Sequence, residues 1–270
     1  MSTEINPVVN IEAVEEQKNP SAPDRLKRVK LIVAYDGTNY HGWQVQPNGE
    51  TIEGVLNRTL SSLLGEKIVV TGASRTDAGV HSMGNVAVFD TKSRIPAEKI
   101  SYALNQRLPE DIVVQKSEEV PADFHPRHCD SRKTYEYRIL NREFPLPMYR
   151  NNTYFCYRKL DLEKMQQAAE YLKGEHDFKS FCATAAVVET TVRTIYELTV
   201  SRQGDIITIR VTGNGFLYNM VRIIAGTLLQ AGMGMIEPEE IKTILAAKDR
   251  STAGPTAPAQ GLTMIGIEYL

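Results

Sequence analysis

Within Gly72-Ala73-Ser74-Arg75-Thr76-Asp77-Ala78-Gly79-Val80-His81, a carboxylate, a guanidinium, two hydroxyls and an imidazole crowd into one stretch bracketed by glycines. A carboxylate that is ionised at neutral pH and held by hydrogen bonds is equipped to act as a nucleophile or a general base. Asp77 is the residue that fits this description. Most loop aspartates are turn formers or helix N-caps. Asp77 is set apart by Arg75, two residues away, and by Gly72 and Gly79, which permit backbone conformations that other residues resist. His81 is a candidate to share the proton traffic, although a histidine entering a strand is more often a satisfied structural group.

Such a loop works only if rigid elements hold it. Lys67-Ile68-Val69-Val70 before it and Asn85-Val86-Ala87-Val88-Phe89 after it are rich in β-branched and aromatic residues and read as strands. Upstream, residues 1–27 mix prolines with charges and read as a mostly disordered tail. Folded structure is expected from Arg28, where Val29, Leu31, Val33 and Tyr35 alternate as in a half-buried strand. Thr51 to Glu66 places Ile52, Val55, Leu56, Leu60, Leu63 and Leu64 at helical spacing. A second helix is expected with Pro96 in its first turn and Ile100, Ala103, Leu104 and Leu108 as its stripe. A strand near Asp111 to Gln115 follows.

That order, β-α-β-β-α-β, is the split βαβ pattern of ferredoxin-like and RNA-recognition folds. The second half repeats it: a strand from Lys133 to Leu140, a helix from Asp161 to Lys173, and a hairpin from Thr191 to Gly213 turning at Gln203-Gly204-Asp205. A helix from about Tyr218 to Ala231, a short one from Pro238 to Lys248, and a last strand from Thr263 to Tyr269 complete it. The expectation is an α+β chain of two ferredoxin-like halves with antiparallel sheets and an active-site cleft between them. Residues 28–130 would form the first domain, carrying the Asp77 loop, and residues 131–270 the second.

The chain has 270 residues and a formal net charge of −2, which excludes a generic polyanion binder. Its charge is unevenly spread. Residues 1–27 carry five acids against three bases and account for the whole −2, whereas Pro121 to Leu160 carries eight bases against four acids, a local +4. Tyr135, Tyr137, Phe144, Tyr149, Tyr154, Phe155 and Tyr157 are interleaved with those bases. Cations beside stacking rings suit nucleic acid, and counterion release responds to the patch that touches phosphates rather than to whole-chain charge. A strand pair with one charged and one packed aromatic face has the same composition. Cys129, Cys156 and Cys182 are odd in number and lack paired metal-ligand spacing, which suggests neither disulfides nor a zinc site. No apolar run approaches the length of a membrane span, and a cytoplasmic location is expected.

The Asp77 stretch resembles the catalytic motif of the tRNA pseudouridine synthase A family, in which the aspartate is essential. The resemblance continues along the chain in Tyr35-Asp36-Gly37-Thr38-Asn39-Tyr40-His41-Gly42-Trp43-Gln44, in Phe124-His125-Pro126-Arg127 and in Lys133-Thr134-Tyr135-Glu136-Tyr137-Arg138. It resumes in His176-Asp177-Phe178, in Gly213 to Arg222 and in Ala257 to Leu262. It implies isomerisation of uridine to pseudouridine in the anticodon stem and loop of tRNA, by a homodimer and without metal or redox cofactor. Asp77 would then be the nucleophile, whether it attacks sugar or base or acts through a glycal. Tyr135 would contact the target base and assist proton removal from C5. Arg222 would pair with the catalytic carboxylate, and Arg75 would separate strands or fill the place of the extruded base.

Four residues depart from the family pattern: Ser74, Asn85, Val88 and His128. None replaces Asp77, Tyr135 or Arg222, but they raise the alternative of a paralogue with shifted RNA targets. Two further readings are a non-catalytic RNA-binding or RNA-folding module on the same scaffold, and a glycosidase-like hydrolase, which would call for a second carboxylate near the first.

Overall fold

A computed structural model of the chain describes residues 25–183 and 189–270. Most of the tail expected at 1–27 therefore lies outside the described residues. The first strand, β1, spans Lys27–Tyr35 and already begins at Lys27, whose ammonium donates to the Ile95 carbonyl. Helix α1 (Ile52–Leu64) starts where the Thr51 hydroxyl accepts from the Gly54 N–H and stops at Gly65, which takes a left-handed φ of 68°. Strand β2 is reduced to Thr71–Gly72. Lys67 to Val70, read as a strand from its composition, forms no ladder; the Val70 N–H donates instead to the Asn57 side chain of α1. Strand β3 (His81–Thr91), helix α2 (Ala97–Asn105) and strand β4 (Ile112–Val120) complete the first half.

The second half opens with β5 (Ser131–Asn141) and a short parallel partner, β6 (Tyr154–Cys156). Helix α3 (Leu162–Glu170) is capped by the Asp161 carboxylate. The four-residue strand β7 (Gly174–Asp177) precedes the hairpin of β8 (Val192–Gln203) and β9 (Ile206–Gly213), which turns at Gly204 with φ of 58°. Helices α4 (Met220–Gly232) and α5 (Glu240–Ala247) lead to β10 (Leu262–Tyr269).

All ten strands join one sheet in the order β4-β1-β3-β10-β5-β9-β8-β7, with β2 beside β3 and β6 beside β5. The seam is β10. It runs parallel to β3, pairing Thr263 with His81 and Met264 with Ser82, and antiparallel to β5 on its other edge. The brevity of β2 makes this possible: it occupies the β3 edge only at Ala87 and Val88, leaving the start of that edge for β10. Two apolar cores lie along the sheet. One gathers β1, β3, β4, α1 and α2 around Leu31, Trp43, Leu56 and Leu104; the other gathers the second half around Tyr137, Phe178, Ile209 and Ile224. Val80, three residues after Asp77, belongs to the second core. Burying a valine side chain stabilises by about 1.5–3 kcal/mol, so the Asp77 loop of one half is anchored in the apolar interior of the other.

Helix α4 is buried on nearly every side. At Gly226 a Cβ would fall 1.8 Å from the Pro255 carbonyl oxygen, so the segment before β10 lies directly on the helix backbone. Gly226→Ala is expected to push that segment off α4 and to cost about 1–3 kcal/mol, the range for overpacking. Urea unfolding checks this; an unchanged midpoint would refute the close approach.

Candidate active site

The Asp77 loop is held by three separate parts of the fold. From the Tyr35 to Gln44 segment, the Trp43 N–H donates to the Thr76 carbonyl at 3.0 Å and the Tyr35 hydroxyl meets the Thr76 hydroxyl at 2.8 Å. Gly42, at a left-handed φ of 85°, lies so close that a Cβ would come within 2.5 Å of the Thr76 carbonyl oxygen. From β3, the fully buried Asn85 donates to the Ser74 carbonyl at 3.0 Å. This departure from the family pattern is thus a working bond of the loop. From the segment before β10, Ala259 packs against Gly79.

Arg222, in the first turn of α4, is 145 residues from Asp77 in sequence, and its Nη1 sits 3.1 Å from Asp77 Oδ2. The same guanidinium donates to the Ala257 carbonyl at 2.8 Å and to the Asn219 side-chain oxygen at 2.9 Å, so it is aimed by the protein's own groups. Asn219 adopts a left-handed backbone, φ of 61°, which asparagine tolerates better than most residues. The opposing effects on Asp77 do not cancel. Burial raises its pKa above the ordinary aspartate value, and Arg222 pulls it back only in part. Asp77 Oδ1 accepts no hydrogen bond among the described residues.

Asp77 and Arg222 face a cavity of about 580 Å³ whose lining also includes Arg75, Tyr135, Lys133 and Phe216. The structure therefore brings all four expected site residues together. Tyr135, on β5, is buried, and its ring meets Phe216 edge-on at 5.3 Å between centroids. Burial pushes its phenol up to about 12, so it is protonated at neutral pH and presents a ring and an O–H rather than a phenolate base. Arg75 is exposed, and its side chain makes no hydrogen bond or ion pair among the described residues. It does not brace the loop. His81 is not part of the lining; its Nδ1 accepts from the Gly37 N–H at 3.1 Å and ties the loop's end to the end of β1. Asn219, Phe216 and Lys133 were not singled out from sequence. An asparagine flanked by aromatic and apolar residues just before a helix is the one local signal that marks Asn219.

Asp77 is the sole carboxylate among the described residues lining the cavity, against the cations Arg75, Arg127, Lys133 and Arg222. A pair of carboxylates for hydrolysis is not assembled there. Among the described residues no group of three or more His, Cys, Asp or Glu side chains is placed to hold a metal ion, and no helix is long and apolar enough to cross a membrane.

If the carboxylate is the reactive form, activity must fall as pH drops through the Asp77 pKa, which burial has raised. Because Arg222 is what holds that pKa down, Arg222→Met is expected to move the acid limb of a single-turnover pH–rate profile to higher pH. A limb that stays or moves down would contradict this balance.

A family model described as tRNA pseudouridine synthase matches residues 31–128 and 168–269. The tRNA pseudouridine synthase A of Ruminiclostridium cellulolyticum is 51% identical over 245 residues, covering 90% of this chain and 100% of the relative. That of Acetivibrio thermocellus is 48% identical over 244 residues, again 90% and 100%. In Clostridium perfringens a protein called tRNA pseudouridine synthase A 2 is 45% identical over 244 residues, covering 90% of this chain and 100% of its own. A chain from a Cbf5-Nop10-Gar1 complex aligns over 87% of this chain and 56% of its own at 15% identity and a TM-score of 0.29, too distant to bear on the fold. With its matched segments spanning both halves, and with Asp77 and Arg222 joined across them, the chain belongs to the tRNA pseudouridine synthase family.

Proposed function

We propose that the chain isomerises uridine to pseudouridine in the anticodon stem and loop of tRNA, with Asp77 as the nucleophile. The observation that carries this reading is a carboxylate, the sole one among the described residues of the cavity lining, partly desolvated and paired with a fixed guanidinium, beside further cations and the rings of Tyr135, Phe216 and Tyr218. Isomerisation breaks the N1–C1′ bond, turns the uracil and forms C5–C1′, while one proton leaves C5 and one is gained at N1. Such a sequence needs one attacking group and a closed place in which the base can turn. It does not need the second acid of a hydrolase.

In this reading Tyr135 contacts the uracil, Arg222 orients and stabilises the ionised Asp77, and the unbraced Arg75 occupies the duplex place vacated by the flipped nucleotide. The relatives' names support tRNA as the substrate. The homodimer belongs to the same reading by family likeness. Two ferredoxin-like halves that meet near Asp130 are supported by matching strand orders: β4-β1-β3 with β2 in the first, β10-β5-β9-β8 in the second.

Asp77→Asn is expected to lower pseudouridine formation about a thousandfold or more while tRNA affinity stays within about threefold. Nucleoside analysis of digested tRNA separates the readings. Pseudouridine supports the proposal; unchanged uridine with intact binding would favour an RNA-folding module; released uracil would favour a hydrolase.

A further inference from the structure

Of the two cavity cations that the isomerisation leaves without a task, Arg127 and Lys133, the half-buried one is Lys133. It stands on β5 two residues before Tyr135, so both side chains leave the strand on the same face, about 7 Å apart along it. Its cross-strand neighbour in β9 is Gly213, which has no side chain to compete for the space. Its Nζ donates to the Ala73 carbonyl at 3.3 Å, which places the ammonium against the root of the Asp77 loop.

Among the described residues no carboxylate is paired with that charge. Burial and the charges of Arg127 and Arg193 all disfavour the ammonium form of Lys133. Arg127 lines the same cavity, and its side chain makes no hydrogen bond or ion pair among the described residues. Arg193 spends Nη1 on the Thr190 and Val192 carbonyls and likewise has no acidic partner among the described residues. Three cations with no acidic partner among the described residues repel one another, and an incoming anion removes that repulsion. In a site entered by RNA, the anion that comes with a base is the phosphodiester on either side of it.

We infer that Lys133, flanked by Arg127 and Arg193, is a positioning residue that grips one backbone phosphate next to the uridine whose base lies against Tyr135. The grip rests on the RNA-modifying reading above. It fixes how far the nucleotide can be drawn in, so that C1′ arrives opposite Asp77 rather than beside it.

The test uses the full chain and a synthetic anticodon-arm RNA carrying a single uncharged methylphosphonate at successive linkages around the target uridine. One linkage flanking that uridine is expected to weaken binding to the unaltered protein about tenfold, and to have no further effect on Lys133→Met. Lys133→Met should also lower the slope of log affinity against log salt by about 0.7–0.9, the contribution of one phosphate contact, and, because C1′ is then less well placed, lower kcat at saturating RNA as well as raise KM. Lys133→Arg should restore the slope. Methylphosphonates that weaken both proteins alike, or a Lys133→Met slope equal to that of the unaltered protein, would overturn the inference. The methylphosphonate series on the unaltered protein stands even if a variant misfolds. A protein that shows the phosphate effect but forms no pseudouridine would defeat the isomerase reading and leave the phosphate site in place.

Discussion

The contact on which the rest of the architecture turns is the ion pair between Asp77 and Arg222. As a source of stability it is poor, because withdrawing two charges from water costs several kcal/mol per ion before their attraction is counted. Its value is positional. Asp77 comes from a loop of the first half and Arg222 from a helix of the second, and the guanidinium opposes the rise that burial gives the carboxylate pKa. The surrounding bonds serve this balance. Asn219 and Ala257 aim the guanidinium, whereas Asn85, Trp43 and Tyr35 fix the loop that carries the acid.

The sheet makes the pairing possible. A two-residue β2 leaves part of the β3 edge open, β10 fills it, and Val80 anchors the loop in the core of the other half. The glycines at 42, 226 and 261 share one logic: each removes a side chain where two backbones or a backbone and a ring must nearly touch. At Gly261 a Cβ would meet the Tyr137 ring at 2.6 Å, and the same tyrosine hydroxyl holds the Pro258 carbonyl. Close approach at these points keeps the seam narrow enough for a single cavity to be lined from both sides.

Much of this was legible in the residues. Thr51 and Gly65 mark the ends of α1, and the alternation of Val29, Leu31, Val33 and Tyr35 marks β1, because caps and periodicity are local facts. Asp77 stood out by residue types and spacing, the roles of Tyr135, Arg75 and Arg222 were reached through motif resemblance, and all four converge on one cavity. What stayed hidden depends on partners distant in sequence. The short β6 and β7 have too few residues to show a period and exist because β5 and β8 pair with them. Lys67 to Val70 has strand composition but finds a helix side chain in place of a strand edge. The choice of β3 as neighbour for β10 leaves no trace in the composition of either strand. Lys133 was visible as a charge in a basic segment and as the first residue of a matching segment, but not as a site residue, since burial and the company of other cations are properties of the folded chain.

The position of β10 in chain order has a temporal consequence. It follows every other strand, yet it lies in the middle of the sheet, and the pairing of Thr263 with His81 is among the most sequence-distant in the molecule. During synthesis the first half can collapse on its own core as it emerges, but the edge of β3 must wait, and long-range strand pairing is slow to form. Asp77 and the Ala257 carbonyl that aims Arg222 are therefore brought into one place by the last-made strand and the segment leading into it. A ribosome-bound fragment lacking them holds the acid without its setting, so the capacity for chemistry arrives only after every other strand has been made.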